Sequence, residues 1–177
     1  MQPTLDDSVS KCNYVEVDVR DFPRESCPVG GALDYLGDRW TMLVLREAFF
    51  GIRRFEQLLR NTGAARNILT NRLGRLVDAG ILEKRLYSER PPRYEYRLTE
   101  KGVDLWPVIV SLARWGGKWA ELETGPAIAL EHKGCGAVIE PELCCPECGE
   151  PVDARSVRVV PGPAMLAASA GRLDETA

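Results

Sequence analysis

The chain has 177 residues, of which 45% are hydrophobic and 28% are charged, a composition typical of a soluble globular protein. No apolar run approaches the ~20 residues that a membrane-spanning helix needs, and the acidic N-terminal stretch does not resemble a secretory signal. We therefore expect a cytoplasmic protein with no membrane partner. The length suits one ordinary domain with a small additional module.

The net charge of −3 is unevenly distributed along the chain. Residues 1–26 hold three Lys or Arg and six Asp or Glu. Residues 27–99 hold 13 basic and eight acidic residues, and residues 100–177 hold seven basic and 12 acidic residues. The middle segment therefore carries a net +5 between two acidic flanks. A basic segment of this kind indicates a surface that binds an anionic partner. A chance excess of basic residues on the surface is the alternative explanation.

The hydrophobic pattern predicts an N-terminal arm over residues 1–26, followed by four helices. The helices are expected over residues 30–37, 39–50, 53–60 and 65–79. The fourth is amphipathic, because Leu69, Leu73 and Leu76 share one face, and it ends near Gly80, a usual helix terminator. One face of this helix therefore requires a hydrophobic core.

A β-hairpin is predicted over residues 83–97, directly after the fourth helix. Apolar and charged residues alternate along both of its strands, and Pro91 and Pro92 mark the turn between them. Because a tight Asn-Gly turn is absent, the loop is expected to be longer than two residues. Its tip is basic.

A final long helix is predicted over about residues 100–123, capped by Thr99. Apolar residues recur along it with alternating steps of three and four, at Leu105, Val108, Leu112, Trp115, Trp119 and Leu122. This heptad-type seam packs either on the core of its own domain or on a second subunit. We favour a homodimer, because Trp106 and Ile109 add apolar surface beside the seam.

The order helix, short helix, turn, helix and basic hairpin indicates a winged helix-turn-helix within an α+β, mainly helical fold. In that arrangement the second helix of the pair lies in the DNA major groove, and asparagine, threonine and arginine bond base edges or phosphates. The candidate DNA contacts are Arg66, Asn67, Thr70, Asn71 and Arg75 on this helix, and Arg53, Arg54, Arg90 and Arg93 outside it. An ordinary solvent-exposed helix face would carry the same polar row. The row, the turn, the hairpin and the positive charge of this segment together favour DNA binding.

The segment from residue 27 to about residue 120 resembles the HxlR-type winged-helix transcriptional regulators. The matching motifs are Cys27-Pro28, Gly37-Asp38-Arg39-Trp40, Arg54-Phe55 with Leu58, Leu69-Thr70-Asn71-Arg72-Leu73, and Tyr94-x-Tyr96-x-Leu98-Thr99-x-x-Gly102. The resemblance implies a homodimer with terminal helices at its interface, bound to an inverted-repeat operator of double-stranded DNA. Gly74 departs from the family pattern, where a long polar residue is more usual, so base contacts at that position are expected to differ.

The resemblance also draws attention to Cys27, because some HxlR-like regulators use a cysteine at this position as a redox-sensing thiol. The alternative interpretation, which the sequence favours, is a small buried residue near the dimer interface. Cys27 is therefore a candidate redox site only.

Four of the six cysteines lie in the segment HKGCGAVIEPELCCPECGEP, residues 132–151. His132-x-x-Cys135-Gly and Cys145-x-x-Cys148-Gly together have the layout of a zinc ribbon, in which one imidazole and three thiolates hold a structural Zn²⁺. Cys144 could replace Cys145 in the second turn. A redox-active disulfide cluster and a set of unliganded remnants are the alternatives to zinc.

These observations predict a DNA-binding and dimerisation domain over 27–124, a zinc-ribbon-like module over 125–161 and a flexible tail over 162–177. The leading hypothesis is a dimeric, sequence-specific repressor or activator. Its alternatives are a sensor that responds to an oxidant, a small-molecule effector or metal loss, and a winged-helix and zinc-ribbon module that binds a protein. An enzyme is not expected, because the only histidine is assigned to the metal and no Gly-rich phosphate loop is present.

Overall fold

A computed structural model describes residues 26–158, 160 and 162–165. Nearly all of the predicted arm over 1–26, and the part of the predicted tail beyond residue 165, lie outside the described residues. The chain divides into two units, one of which spans Val29–Ile139 and the other of which contains the remaining described residues. Within the described part of the chain, no helix is both long and apolar enough to cross a membrane.

The elements follow the predicted order, which is four helices, then a β-hairpin, and then further helix. They are α1 (Pro28–Leu36), α2 (Arg39–Phe49), α3 (Phe55–Thr62), α4 (Arg66–Asp78), β1 (Leu82–Glu89), β2 (Pro92–Leu98), α5 (Glu100–Val103), α6 (Trp106–Trp119), β3 (Leu130–Glu131) and β4 (Val138–Ile139). β1 pairs with β2 and β3 pairs with β4, both antiparallel. The predicted winged helix-turn-helix is confirmed, with α3 and α4 as the helix pair and β1–β2 as the wing.

The core lies where α2, α3, α4 and β1 meet. Its fully buried side chains are Val44, Leu45, Leu58, Leu69, Leu73, Leu76 and Leu82. Each contributes about 1.5–3 kcal/mol by leaving water. Three of them come from α4, at the spacing that the sequence predicted for its apolar face, so the core holds α4 with its polar row outward.

The wing is extended by the segment that precedes α3. The N–H of Tyr96 donates to the carbonyl of Arg53 at 2.8 Å, and Arg54 forms an antiparallel bridge with Glu95. This pairing attaches the start of α3 to β2. The wing and the helix pair therefore belong to one connected substructure.

The turn of the wing differs from the expectation of a loop longer than two residues. Only Arg90 and Pro91 separate the two strands, and Glu89 pairs directly with Pro92. A register shift between Leu86 and Ser88 adjusts β1 just before the turn. A bulge of this kind allows a short turn without the Asn-Gly sequence that regular two-residue hairpins prefer.

The predicted continuous helix over 100–123 is wrong, because the structure has the short α5 and then α6. Pro107 has no N–H to donate to the carbonyl of Val103, and its ring would clash with that carbonyl in an unbroken helix. The helix therefore restarts at Trp106, with Leu105 as its N-cap. α6 ends at Trp119, so Leu122 at the end of the predicted seam lies beyond it.

Candidate nucleic-acid interface

The outward face of α4 carries the polar row predicted from the sequence. Asn67, Thr70 and Asn71 are exposed, whereas Leu69 and Leu73 on the opposite side are fully buried. The Thr70 hydroxyl donates to the carbonyl of Arg66 at 2.9 Å, which leaves its oxygen to accept a bond from outside. The Asn71 carboxamide oxygen accepts from the Arg72 guanidinium at 3.0 Å, which orients that amide. The row is a hydrogen-bonding surface held by a buried helix face.

Arg66, at the start of α4, is held by local partners. Its guanidinium forms an ion pair with Glu56 at 3.0 Å and lies over the Phe55 ring at 5.1 Å from the centroid. Both charged side chains are 62% exposed, and exposed pairs contribute at most about 1 kcal/mol. A phosphate could therefore compete with Glu56 for this arginine.

Arg75, predicted as a DNA contact, faces α1. Its Nη2 donates to the carbonyl of Asp34 at 3.0 Å. Lys101 joins the same two helices, because its Nζ donates to the carbonyl of Ala79 at 2.8 Å and lies 4.9 Å from the ring centroid of Tyr35. The C-terminal end of α4 is thus fastened to α1.

Arg72 and Asp38 form a second link that the sequence reasoning missed. Asp38 caps α2 by accepting from the N–H groups of Trp40 and Thr41 at 3.0 and 3.1 Å, and Arg72 Nε bonds the same carboxylate at 2.9 Å. Partial burial alone would raise the pKa of Asp38, but the hydrogen bonds from Thr41 and Trp40 and the positive charge of Arg72 hold that pKa below its usual value. The pair fixes α4 against the start of α2.

The wing presents a basic and aromatic surface. Arg90 and Arg93 are exposed at its turn, and the Arg54 guanidinium lies over the Tyr87 ring at 4.9 Å from the centroid. An open cleft of about 580 Å³ separates the wing from α3, and its lining is Arg54, Phe55, Glu56, Gln57, Arg60, Tyr87, Arg93 and Tyr94. Arg60 and the two tyrosines were missed from the sequence, since only the fold brings α3 alongside the wing.

The structure divides the predicted apolar seam of the C-terminal helix into a part that packs on the core and a part that is exposed. Leu105 is half-buried and packs on the core, as does Ile109, which corrects the expectation that Ile109 adds to an exposed surface. Trp106 packs against Phe49, with ring centroids 5.3 Å apart. The remaining seam residues are between 44% and 63% exposed, namely Val108, Leu112, Trp115, Trp119 and Leu122.

A second apolar surface lies on α1. Val29 is 67% exposed and Leu33 is 57% exposed. Cys27 precedes this helix directly and is half-buried. Large apolar side chains exposed on two helices are typical of an interaction surface.

Among the predicted zinc ligands, His132 lies close to Cys135, and Cys145 lies close to Cys148. His132 Nδ1 is 3.3 Å from Cys135 Sγ, and hydrogen bonds from the backbone N–H groups of Cys148 and Glu147 and from the Cys148 thiol lower the pKa of Cys145. No group of three or more His, Cys, Asp or Glu side chains, among the residues that the structure describes, converges to hold a metal ion. The structure thus gives the ligand pairs but not the predicted set of four.

A helix pair on a leucine-rich core, with an outward polar row and a basic wing, defines a winged helix-turn-helix protein. Residues 35–124 match the HxlR-like helix-turn-helix family, and the chain belongs to this family. The resemblance inferred from the sequence motifs is thereby confirmed.

The relatives are transcriptional regulators. The HTH-type transcriptional regulator Rv3095 of Mycobacterium tuberculosis is 50% identical over 139 residues, which cover 78% of this chain and 88% of the relative. The HTH-type regulator sll1512 of Synechocystis is 39% identical over 109 residues, which cover 61% of this chain and 81% of that protein. This chain is therefore a transcriptional regulator of the HxlR family and not an enzyme, as the sequence predicted.

Solved structures agree with this assignment. PA1607, a proposed transcription factor, superposes with a TM-score of 0.67 and 34% identity over 76% of this chain and 94% of that one. The oxidised form of the redox regulator HypR superposes with a TM-score of 0.51 and 31% identity over 54% of this chain and all of that one. The likeness to PA1607 reaches well beyond the winged helix-turn-helix itself.

Proposed function

We propose that this regulator binds an inverted-repeat operator as a homodimer, with α4 in the major groove and the β1–β2 wing on the phosphate backbone. The observation that carries the proposal is the exposed row of Asn67, Thr70 and Asn71, opposite the buried leucines of the same helix. Asparagine reads adenine through two hydrogen bonds at the major-groove edge, and threonine bonds bases or contacts the thymine methyl group. The row therefore has the chemistry of base readout.

The wing arginines have a different part in this proposal. Arg90 and Arg93 are exposed at the turn, so they are available to phosphates on either side of the groove. Arg53 and Arg54 lie at the start of α3, the position from which the first helix of such a pair contacts the backbone. Contacts of this kind position the protein and carry little sequence information.

The homodimer rests on the apolar surfaces of α1 and α6. Trp115 and Trp119 on α6 are 63% and 57% exposed, and Val29 and Leu33 on α1 are exposed to a similar degree. An interface rich in tryptophan is typical of stable association. A two-fold dimer places two copies of α4 on two half-sites, which accounts for an inverted repeat.

Fluorescence anisotropy tests this function directly, with the purified protein and the DNA upstream of its own gene. We expect binding that persists against excess random-sequence competitor for the wild type and is lost in the double variant Asn67→Ala/Asn71→Ala. Arg158→Ala removes a charge outside the winged-helix unit and serves as the control, with unchanged affinity. Equal binding by wild type and double variant would exclude α4 from base readout, and weak binding sensitive to competitor would favour a protein partner instead.

A second candidate function is redox control of DNA binding through Cys27. The observation that favours it is the likeness to HypR, a redox regulator, together with the position of Cys27 directly before the exposed apolar helix α1. The test is the operator affinity of the wild type and of Cys27→Ser before and after diamide. A change in the wild type alone supports this function, and an equal response of both proteins contradicts it.

A further inference from the structure

The cleft between the wing and α3 combines aromatic rings with positive charge. Its volume of about 580 Å³ falls within the range of about 300–1,000 Å³ that is typical of sites for small ligands. Three arginines and three aromatic residues line it, namely Arg54, Arg60, Arg93, Phe55, Tyr87 and Tyr94. We call this space the wing cleft.

The positive charge of the wing cleft is the first feature that indicates a ligand. Among the residues that the structure describes, no Asp or Glu forms an ion pair with Arg54, Arg60 or Arg93. Glu56 also lines the cleft, but both of its carboxylate oxygens bond the Arg66 guanidinium, at 3.0 and 3.1 Å. The cleft therefore has an excess of positive charge, and a cleft lined by one sign of charge attracts ligands of the opposite sign.

The tyrosine rings of the wing cleft are the second feature. The register of the hairpin shifts between Leu86 and Ser88, so Tyr87 stands as an extra residue in β1. A bulge re-aims the side chain of the residue it adds. The Tyr87 ring lies against the Arg54 guanidinium, 4.9 Å from centroid to Cζ. Tyr87 and Tyr94 are 40% and 42% exposed, so both rings keep surface available for a ligand.

Guanidinium groups and aromatic rings in one cleft match a ligand that has two different parts. A guanidinium binds a carboxylate through two parallel hydrogen bonds, and an aromatic side chain packs favourably against another ring. A phosphate of the DNA backbone would use the arginines alone, whereas the rings need an apolar partner. We propose that the wing cleft binds a small aromatic carboxylate, whose ring packs on Tyr87 and Tyr94 and whose carboxylate bonds the cleft arginines.

A ligand in the wing cleft acts as an effector of DNA binding, a consequence that rests on the function proposed above. Arg54 and Arg93 line the cleft and are also proposed phosphate contacts. A bound carboxylate neutralises the charge that these arginines would present to the DNA backbone. The ligand and the operator therefore compete, and each lowers the affinity of the protein for the other by the same factor. The aromatic carboxylate is expected to release the regulator from its operator.

Ligand-observed nuclear magnetic resonance of the full chain, without DNA, tests the site itself. The probe is benzoate, and the matched probes are acetate, which lacks the ring, and benzamide, which lacks the charge. We expect saturable binding of benzoate, with both matched probes bound at least about tenfold more weakly because each loses one of the two kinds of contact. Benzamide binding as tight as that of benzoate, or benzoate binding that does not saturate, would overturn the proposal.

Variants of the chain test whether benzoate binds in the wing cleft. Arg60→Gln removes one cleft charge and Tyr94→Ala removes one ring, so each should lower the affinity for benzoate by about fivefold or more. The control is Arg85→Gln, which removes an exposed arginine of the same hairpin that pairs with Glu83 at 2.7 Å and does not line the cleft. Unchanged affinity in both cleft variants would overturn the assignment of the site.

Fluorescence anisotropy with operator DNA then tests the competition. At a benzoate concentration that saturates the wild type, its operator affinity should fall by about tenfold or more, and Arg60→Gln should lose most of this response. Benzoate that binds the wild type without changing its operator affinity would contradict the competition. A protein that binds benzoate as expected but binds no DNA would support the site and refute the proposed function, so the two failures are distinguishable.

Discussion

Arg75 of α4 donates a hydrogen bond from Nη2 to the main-chain carbonyl of Asp34 in α1, at 3.0 Å. This bond joins the helix with the polar row to the helix that exposes Val29 and Leu33. Lys101 adds to this connection, because its Nζ donates a hydrogen bond to the carbonyl of Ala79 at the end of α4 and also lies over the Tyr35 ring of α1. In the proposed dimer, α4 and the subunit interface are therefore mechanically linked, and Arg75 belongs to that link.

Arg75→Ala and Arg90→Ala should consequently weaken operator binding in different ways. Arg90 is a proposed phosphate contact, so its removal should lower affinity for all sequences and reduce the slope of log K against log salt by about one. Arg75 is already bonded to Asp34, so its removal should lower affinity while leaving that slope unchanged. Salt titrations of both variants, with Arg158→Ala as control, measure the difference. An unchanged slope in Arg90→Ala would contradict the role of the wing.

Asn71→Ala should weaken binding to the operator by about 1–3 kcal/mol, because one base-reading side chain is lost. Affinity for unrelated DNA should be preserved, since the asparagine carries no charge. Sedimentation should still give a dimer, because Asn71 is on neither apolar surface. A loss that is equal for operator and unrelated DNA would argue that Asn71 does not read a base.

Gly74→Ala should change stability and DNA affinity in opposite directions. A methyl group at this position meets no atom within 4 Å, and alanine stabilises a helix interior over glycine by about 1 kcal/mol. The variant should therefore melt at a higher temperature. If α4 lies in the groove, the added methyl group on the polar row should weaken operator binding. Unchanged affinity would mean that DNA does not approach α4 closely at Gly74.

Asp38→Asn should lower the free energy of unfolding at neutral pH by about 1 kcal/mol, because the charged partner of Arg72 is lost. The pKa of Asp38 is depressed in the folded chain, so its charge stabilises the fold above the unfolded-state pKa of about 3.9. That contribution disappears as pH falls through the lower folded-state pKa. Denaturant unfolding of both proteins should therefore differ at pH 7 and converge at strongly acidic pH, whereas a pH-independent difference would contradict the assigned pKa direction.

Trp115→Glu should separate the proposed dimer into monomers. Trp115 is 63% exposed on α6, so the substitution costs the isolated chain little but places a charge in an apolar interface. Analytical ultracentrifugation should give one chain per particle, and operator affinity should fall steeply since one half-site is lost. The control is Arg155→Glu, which changes an exposed charge outside the winged-helix unit. If the Trp115→Glu variant remained a dimer, the proposed dimer interface on α6 would be contradicted.

Periodicity and spacing were sufficient to predict the helix pair, the wing and the polar row. Leu69, Leu73 and Leu76 repeat at helical spacing, and the core they form leaves Asn67 and Asn71 outward. These features depend on local pattern, which a sequence displays directly.

Some features that the sequence did not reveal depend on contacts between residues that are far apart along the chain. The others depend on local geometry, where the same sequence pattern is compatible with more than one backbone conformation. Arg75 and Arg72 bond residues 41 and 34 positions away, and no local pattern identifies such partners. The apolar pattern predicts a continuous helix through Pro107, although the missing N–H of this proline divides α5 from α6. The short turn at Arg90-Pro91 and the register shift in β1 are details of local geometry that alternation alone does not predict.

Selection of bound duplexes from a random-sequence DNA library, followed by sequencing, tests the central claim most directly. The account predicts enrichment of an inverted repeat whose half-site centres are about 10 base pairs, or a multiple of that distance, apart. The enrichment should disappear in Asn67→Ala/Asn71→Ala and persist in Arg158→Ala. A wild-type pool that remains random after repeated selection would contradict sequence-specific operator binding by α4.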